Sequence, residues 1–298
     1  MMNQIEGQPT LRHWGVLILL TLVWGTSFIL IKKGLNSFSG MQVGALRITI
    51  AFLCFIPVAW PALLRIPRKI LWYLLVIGIF SSFIPSFLIP IGQQETDSST
   101  AGILVSLTPL STYIWGISLF RQEASVRRTL GVLTGLVGAS ILVMDPNTPM
   151  GFNVSAIYIL ASSIMYGLSG NIVHRHLKHI DSTDITAVSF VLIGLPALVY
   201  LLTTDFVFIM QTDNQAWWSL GAVTLLAIVG TAMALLLYWK LVQQTDPVFG
   251  STTTYLVPVI AILWGLADGE RLFTHQFFGF ALILMSVFLV RSKNSEAQ

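Results

Sequence analysis

Ten apolar runs, separated by short polar breaks, set the rhythm of the chain. They cover approximately residues 13–33, 41–60, 70–92, 99–120, 128–145, 154–174, 185–203, 217–240, 247–267 and 274–291. At a rise of about 1.5 Å per residue, runs of about 18 to 24 residues cross a hydrocarbon core of about 30 Å. They are apolar on all sides, whereas strands of a membrane barrel would alternate over about ten residues, so the pattern predicts helices. The expected fold class is an all-α polytopic membrane protein with ten transmembrane helices. The first eleven residues show no cleavable signal pattern, so the first run is expected to remain as a span.

Composition agrees with a lipid solvent. Hydrophobic residues make up 55% of the 298 and charged residues only 10%, against about 25% charged in a soluble domain. The single Cys54 lies in an apolar run and offers neither a disulfide framework nor a cysteine metal site. Ten spans return both termini to one side. Arg12, Arg65, Arg68, Lys69, Arg121, Arg127, Arg128, Arg175, Lys178, Lys240, Arg291 and Lys293 fall on that side, and only Lys32, Lys33 and Arg271 on the other. This asymmetry predicts cytoplasmic termini, with Lys32 and Lys33 snorkelling to the outer interface. The excess of positive charge therefore needs no nucleic acid to explain it; the lipid bilayer is the expected partner.

The chain also repeats itself. Gln93 to Pro109 reads QQETDSSTAGILVSLTP and Gln243 to Pro258 reads QQTDPVFGSTTTYLVP; Thr96, Asp97, Leu107 and Pro109 recur at an offset of 149 as Thr245, Asp246, Leu256 and Pro258. WGTS at 24–27 likewise faces YGLS at 166–169, and RQE at 121–123 faces GER at 269–271. The reading is two five-helix repeats, 1–147 and 148–298. An odd number of spans per repeat makes the second enter the membrane inverted, the architecture of carriers that alternate access around a midplane site.

Trp24-Gly25-Thr26-Ser27, Ala45-Leu46-Arg47, Pro109, Pro258 and Gly269-Glu270-Arg271 resemble the EamA family of the drug/metabolite transporter superfamily, over about residues 13–291. The resemblance implies a ten-helix, inverted-repeat carrier of small metabolites, with many members exporting amino acids or related compounds across the inner membrane. Two departures stand out: Gln122-Glu123-Ala124 replaces the Gly-Glu-Arg pattern in the first half, and Tyr166 stands where the first half has Trp24.

Candidate substrate-pathway residues are polar or aromatic side chains at mid-span: Trp24, Thr26, Ser82, Ser106, Tyr166, Asn171, Thr252 and Tyr255. Serine and threonine at such depths also bond their own backbone or pack helices together. Pro109 and Pro258 are expected to kink the fourth and ninth spans. Arg47 is the cation deepest in a span; one reading has it attracting an anionic or zwitterionic substrate, but a structural ion pair or a headgroup contact is the expected role. Glu95 and Asp97 lie at the outer end of the third span, and Asp97 and Asp246 read as caps of the next helix. No carboxylate lies at mid-membrane, so proton coupling is not indicated.

Metal binding by His174, His176 and His179 is not expected in an Arg- and Lys-rich loop. Asp181-Ser182-Thr183 reads as a helix cap rather than half of a prenyltransferase magnesium site. There is no GxxxxGK[ST] loop and no HExxH, so no cofactor is expected and ATP hydrolysis is excluded. The expected function is secondary transport of a small polar organic metabolite, such as an amino acid or related compound, outward across the membrane. The competing reading is an intramembrane enzyme acting on a lipid or prenyl substrate.

Overall fold

The computed structural model describes residues 10–122, 126–143, 154–245, 247–270 and 274–291. Ten long helices follow the apolar runs: α1 (Leu11–Gly34), α2 (Gly40–Arg65), α3 (Arg68–Gln93), α4 (Ser98–Ser118), α5 (Val126–Val143), α6 (Ser155–His176), α7 (Ser182–Leu202), α8 (Ala216–Gln244), α9 (Pro247–Ala267) and α10 (Thr274–Arg291). Among the described residues eight are long and apolar enough to cross a membrane; α5 and α10 carry shorter apolar stretches, Thr129–Gly138 and Phe277–Ser286. A further short helix that the apolar runs do not predict, Phe206–Thr212, buries none of its residues. It is too short to span.

The helices pair crosswise. α2 packs on α7 and α5 on α10, while α1 seats against α9 and α6 against α4. The first helix of each half therefore rests on the fourth helix of the other. Both buried apolar clusters draw residues from both halves. The repeated WGTS and YGLS motifs supply the contact points. A Cβ on Gly25 would run into the Ile260 side chain, and one on Gly167 would lie 2.5 Å from the Thr112 amide and 2.6 Å from the Ser111 carbonyl carbon. Small residues let membrane helices approach this closely.

Two further irregularities are matched between halves. α3 contains a π turn at Gly78–Phe83, and α8 one at Leu226–Met233; such turns break the regular ladder and recur at functional sites. α4 is interrupted between Val105 and Thr108, and α9 between Ser251 and Thr253. At these joints Ser106 Oγ donates to the Ile103 carbonyl and Thr252 Oγ1 to the Phe249 carbonyl, each at 2.6 Å. Pro109 stands at the start of the second segment of α4. Pro258 lies inside a continuous segment, with the break at Thr252 rather than at the proline.

Candidate functional site

A central cavity of about 80 Å³ opens where α1, α2, α3, α4, α6, α8 and α9 converge. That is room for several waters or a compact ligand. On α1 the wall is a stripe at three- and four-residue spacing, Trp24, Ser27, Phe28 and Ile31. The π turn of α8 adds Gly230, whose carbonyl accepts the Trp24 indole N–H at 3.1 Å. Tyr238 meets the Trp24 ring edge-on, with centroids 5.1 Å apart. Arg47 and Tyr166 complete the wall from opposite halves.

Of the sequence candidates, Trp24, Tyr166 and Arg47 line this cavity and the others lie off it. Thr26 falls on the other side of α1, donating to the Leu22 carbonyl and accepting from Trp264 Nε1. Ser82 bonds Ser81, which does line the wall. Ser106 and Thr252 are turned to their own helices, while their neighbours Thr108 and Thr254 face in. Projection of a regular helix fails there because both joints change the phase of the turns beyond them. Tyr255 is buried beside, not in, the lining stripe. Asn171 is occupied between helices, donating to the Thr112 and Gly167 carbonyls at 2.9 and 3.0 Å. Sequence reasoning missed Ser27, Tyr238, Trp239 and Thr254. The spacing Thr231, Leu235, Tyr238 marks one face of α8 and could have found Tyr238.

A second cluster closes one end of the bundle. Glu270, just beyond α9, is buried and accepts the Ser98 amide at 3.0 Å, the Ser99 amide at 3.1 Å and the Ser99 hydroxyl at 2.7 Å. Lys32 bridges Glu270 and Asp268, both at 2.9 Å, and Lys33 pairs with Asp268. The lysines thus pair with acids rather than snorkel freely. Asp97 holds the N-cap position of α4, but its side chain makes no capping bond; the cap comes from Glu270 in the other half. Asp246 lies outside the described residues. Glu95 accepts from Ser155 Oγ at 2.7 Å. Burial pushes the Glu270 carboxyl up, but hydrogen bonds from Lys32, Ser99 and the two amides outweigh it and leave the group below the ordinary range. Hydrogen bonds from Lys33 and Lys32 hold Asp268 low as well.

The turn carrying Glu270 has a counterpart at the opposite end. Gly269 takes φ +85° and Glu270 N bonds the Gly265 carbonyl at 2.9 Å; Arg121 takes φ 54° and Gln122 N bonds the Gly116 carbonyl at 2.9 Å. A Cβ on Gly265 would strike Glu270 and Ser99, and one on Gly116 would strike Gln122. The turns agree with the pairing of RQE at 121–123 with GER at 269–271, whereas placing Gln122-Glu123-Ala124 on the Gly-Glu-Arg pattern is one residue off. Arg121-Gln122 matches Gly269-Glu270, and Gln122 stands where Glu270 stands. Glu123 and Arg271 lie outside the described residues.

At the start of α7, Asp181 accepts the Thr183 amide at 2.7 Å, a helix cap. His176 stacks on Tyr73 with centroids 4.4 Å apart.

A helical membrane bundle of crosswise-paired repeats around a central cavity defines the class of protein: a carrier-type scaffold. Residues 13–144 and 153–292 each match the EamA-like transporter family, and the chain belongs to that family. It is 20% identical over 288 residues to an "uncharacterized transporter" of Archaeoglobus fulgidus, covering 95% of this chain and 100% of that protein. It is 21% identical to the "uncharacterized transporter YoaV" of Bacillus subtilis, covering 92% and 94%. The "uncharacterized inner membrane transporter YedA" of Escherichia coli strain K12 is 23% identical, with 93% and 90% covered. A crystal structure of another protein superposes with a TM-score of 0.64 at 17% identity over 94% of this chain and 96% of that one, which shows a shared fold.

Proposed function

We propose that the chain is a secondary transporter that moves a small organic metabolite, an amino acid or related compound, outward across the inner (plasma) membrane by alternating access. Both termini are cytoplasmic in this reading, so the Glu270 cluster faces outward. The observation that carries it is a central cavity walled by both repeats, 1–147 and 148–298, beside an end closed by contacts between them. Rocking one repeat against the other would exchange the open end without ATP.

The test is substrate-dependent flux into proteoliposomes across a broad panel of amino acids and organic acids. Uptake above empty liposomes, abolished in a variant that cannot rearrange, is the expected result. No flux for any member, or covalent turnover of an added lipid, overturns the carrier reading.

A further inference from the structure

Arg47 has only 9% of its surface exposed, and among the described residues no carboxylate lies within ion-pairing distance of it. Its Nε donates to Thr231 Oγ1 from the other half. Among the described residues the structural ion pair expected from sequence is not present: the guanidinium lines the interior wall, within electrostatic range of Tyr166. A guanidinium carries five N–H donors, and the described partner takes one. A buried, uncompensated cation costs several kcal/mol unless an anion meets it.

The rest of the wall says what kind of anion fits. Among the described residues the lining contains no Asp or Glu, so an ammonium would find no counter-charge there, while Trp24, Phe28, Tyr238 and Val257 supply apolar surface. We propose that the cavity binds a compact organic monoanion. Its carboxylate sits on the Arg47 fork, which matches that group's two oxygens, and its apolar body lies against the surface that Trp24, Phe28, Tyr238 and Val257 present to the cavity. Thr231 is a positioning residue that holds the guanidinium. This inference rests on the carrier reading and narrows its cargo from amino acids toward simple organic acids.

The experiment is thermal unfolding of the purified full chain in detergent with increasing isovalerate, benzoate or leucine, each beside its primary amide, and with sodium chloride. The acids are expected to raise the melting temperature in a saturable way, and the amides and chloride to leave it unchanged. Leucine is expected to protect less than isovalerate. Arg47→Gln is expected to melt no lower than the parent without ligand, since it removes a buried charge, yet to weaken acid binding at least tenfold. Arg47→Lys restores part of it, and Thr231→Val weakens it without abolishing it. Equal protection by acid and amide, protection by chloride alone, protection by no acid, or unchanged affinity in Arg47→Gln each overturns the inference. Should Arg47→Gln fail to fold, the acid-against-amide comparison on the unaltered chain decides. Acids that bind but give no flux in proteoliposomes refute the carrier reading and leave the binding site standing.

Discussion

Replacing Glu270 with Gln tests whether the cluster at the end of α9 works as a latch. The carboxylate receives four hydrogen bonds, from two helix-start amides, one hydroxyl and the Lys32 ammonium. Glutamine keeps the shape but loses the charge, and its amide nitrogen cannot accept. Hydrogen bonds to a charged group contribute about 1.5–3 kcal/mol and neutral ones about 0.5–1.5 kcal/mol, so the closed end weakens by about 2 kcal/mol. That is about 30-fold in the closed-to-open ratio. Ile31 reports it: the side chain lines the cavity and is 1% exposed. In a Cys54→Ser background, Ile31→Cys is labelled by a membrane-impermeant maleimide from the outer face of intact cells. Glu270→Gln is expected to raise that rate about 30-fold, and Lys32→Met to add little in the double variant because both break one network. An unchanged rate, or fully additive effects, refutes the latch.

Acid should open the same latch. A carboxyl held below its ordinary value stabilises the folded form above that value and loses the contribution as it protonates. The ordinary values are 4.5 for Glu270 and 3.8 for Asp268, so Ile31→Cys labelling, divided at each pH by that of a freely exposed reference cysteine to remove the thiolate dependence, is expected to stay flat from about pH 8 to 5 and to climb only below about 4. A rise centred near neutrality would contradict the assignment. The helix crossings give a second set: Gly167→Ala places a methyl against α4 backbone that cannot yield, at about 1–3 kcal/mol, whereas Gly15→Ala meets nothing within 4 Å. Thermal unfolding should separate the two, with Gly167→Ala lowered and Gly15→Ala equal to or above the parent. Gly265→Ala is expected to behave like Glu270→Gln in the labelling assay, because its methyl displaces Glu270 and Ser99.

Much of the fold was legible because lipid leaves few choices: the apolar runs became the long helices, and WGTS and YGLS became the paired glycine crossings. The site was legible only where a helix stayed regular. Trp24 and Tyr166 line the cavity, whereas Ser106 and Thr252 do not, because of joints that a run of apolar letters does not reveal. Asp97 looked like a cap since it sits at a cap position with the right residue type. The actual donor-to-acceptor match runs to Glu270, more than 170 positions away, and no local pattern encodes that. Arg47 was visible as a charge, yet whether it had a counter-ion depended on which helices met it.

The two ends of the bundle close in similar turns, one residue longer at Gln122 than at Glu270, but differ in charge, and this difference supplies a sharper test of alternation. Where Glu270 sits at one end with Lys32 beside it, Gln122 sits at the other, with Nε2 at 3.4 Å from Asn171 Oδ1. That contact is long for a hydrogen bond and contributes little. Gln122→Glu would bring a carboxylate toward the Asn171 carbonyl oxygen, and Asn171 cannot readily flip because its nitrogen is engaged by Thr112 and Gly167. A cost of about 1 kcal/mol, about fivefold, is expected to favour opening at that end. Leu235→Cys, on the cavity wall, reads it by labelling inside-out vesicles. In an alternating carrier any population added to one open state is drawn from the others, the opposite open state included. Gln122→Glu should therefore raise Leu235→Cys labelling from the inner face without raising Ile31→Cys labelling from the outer, and Glu270→Gln should do the reverse. If either substitution raised labelling at both ends together, the bundle would be loosening as a whole, and the two turns would be structural staples instead of gates.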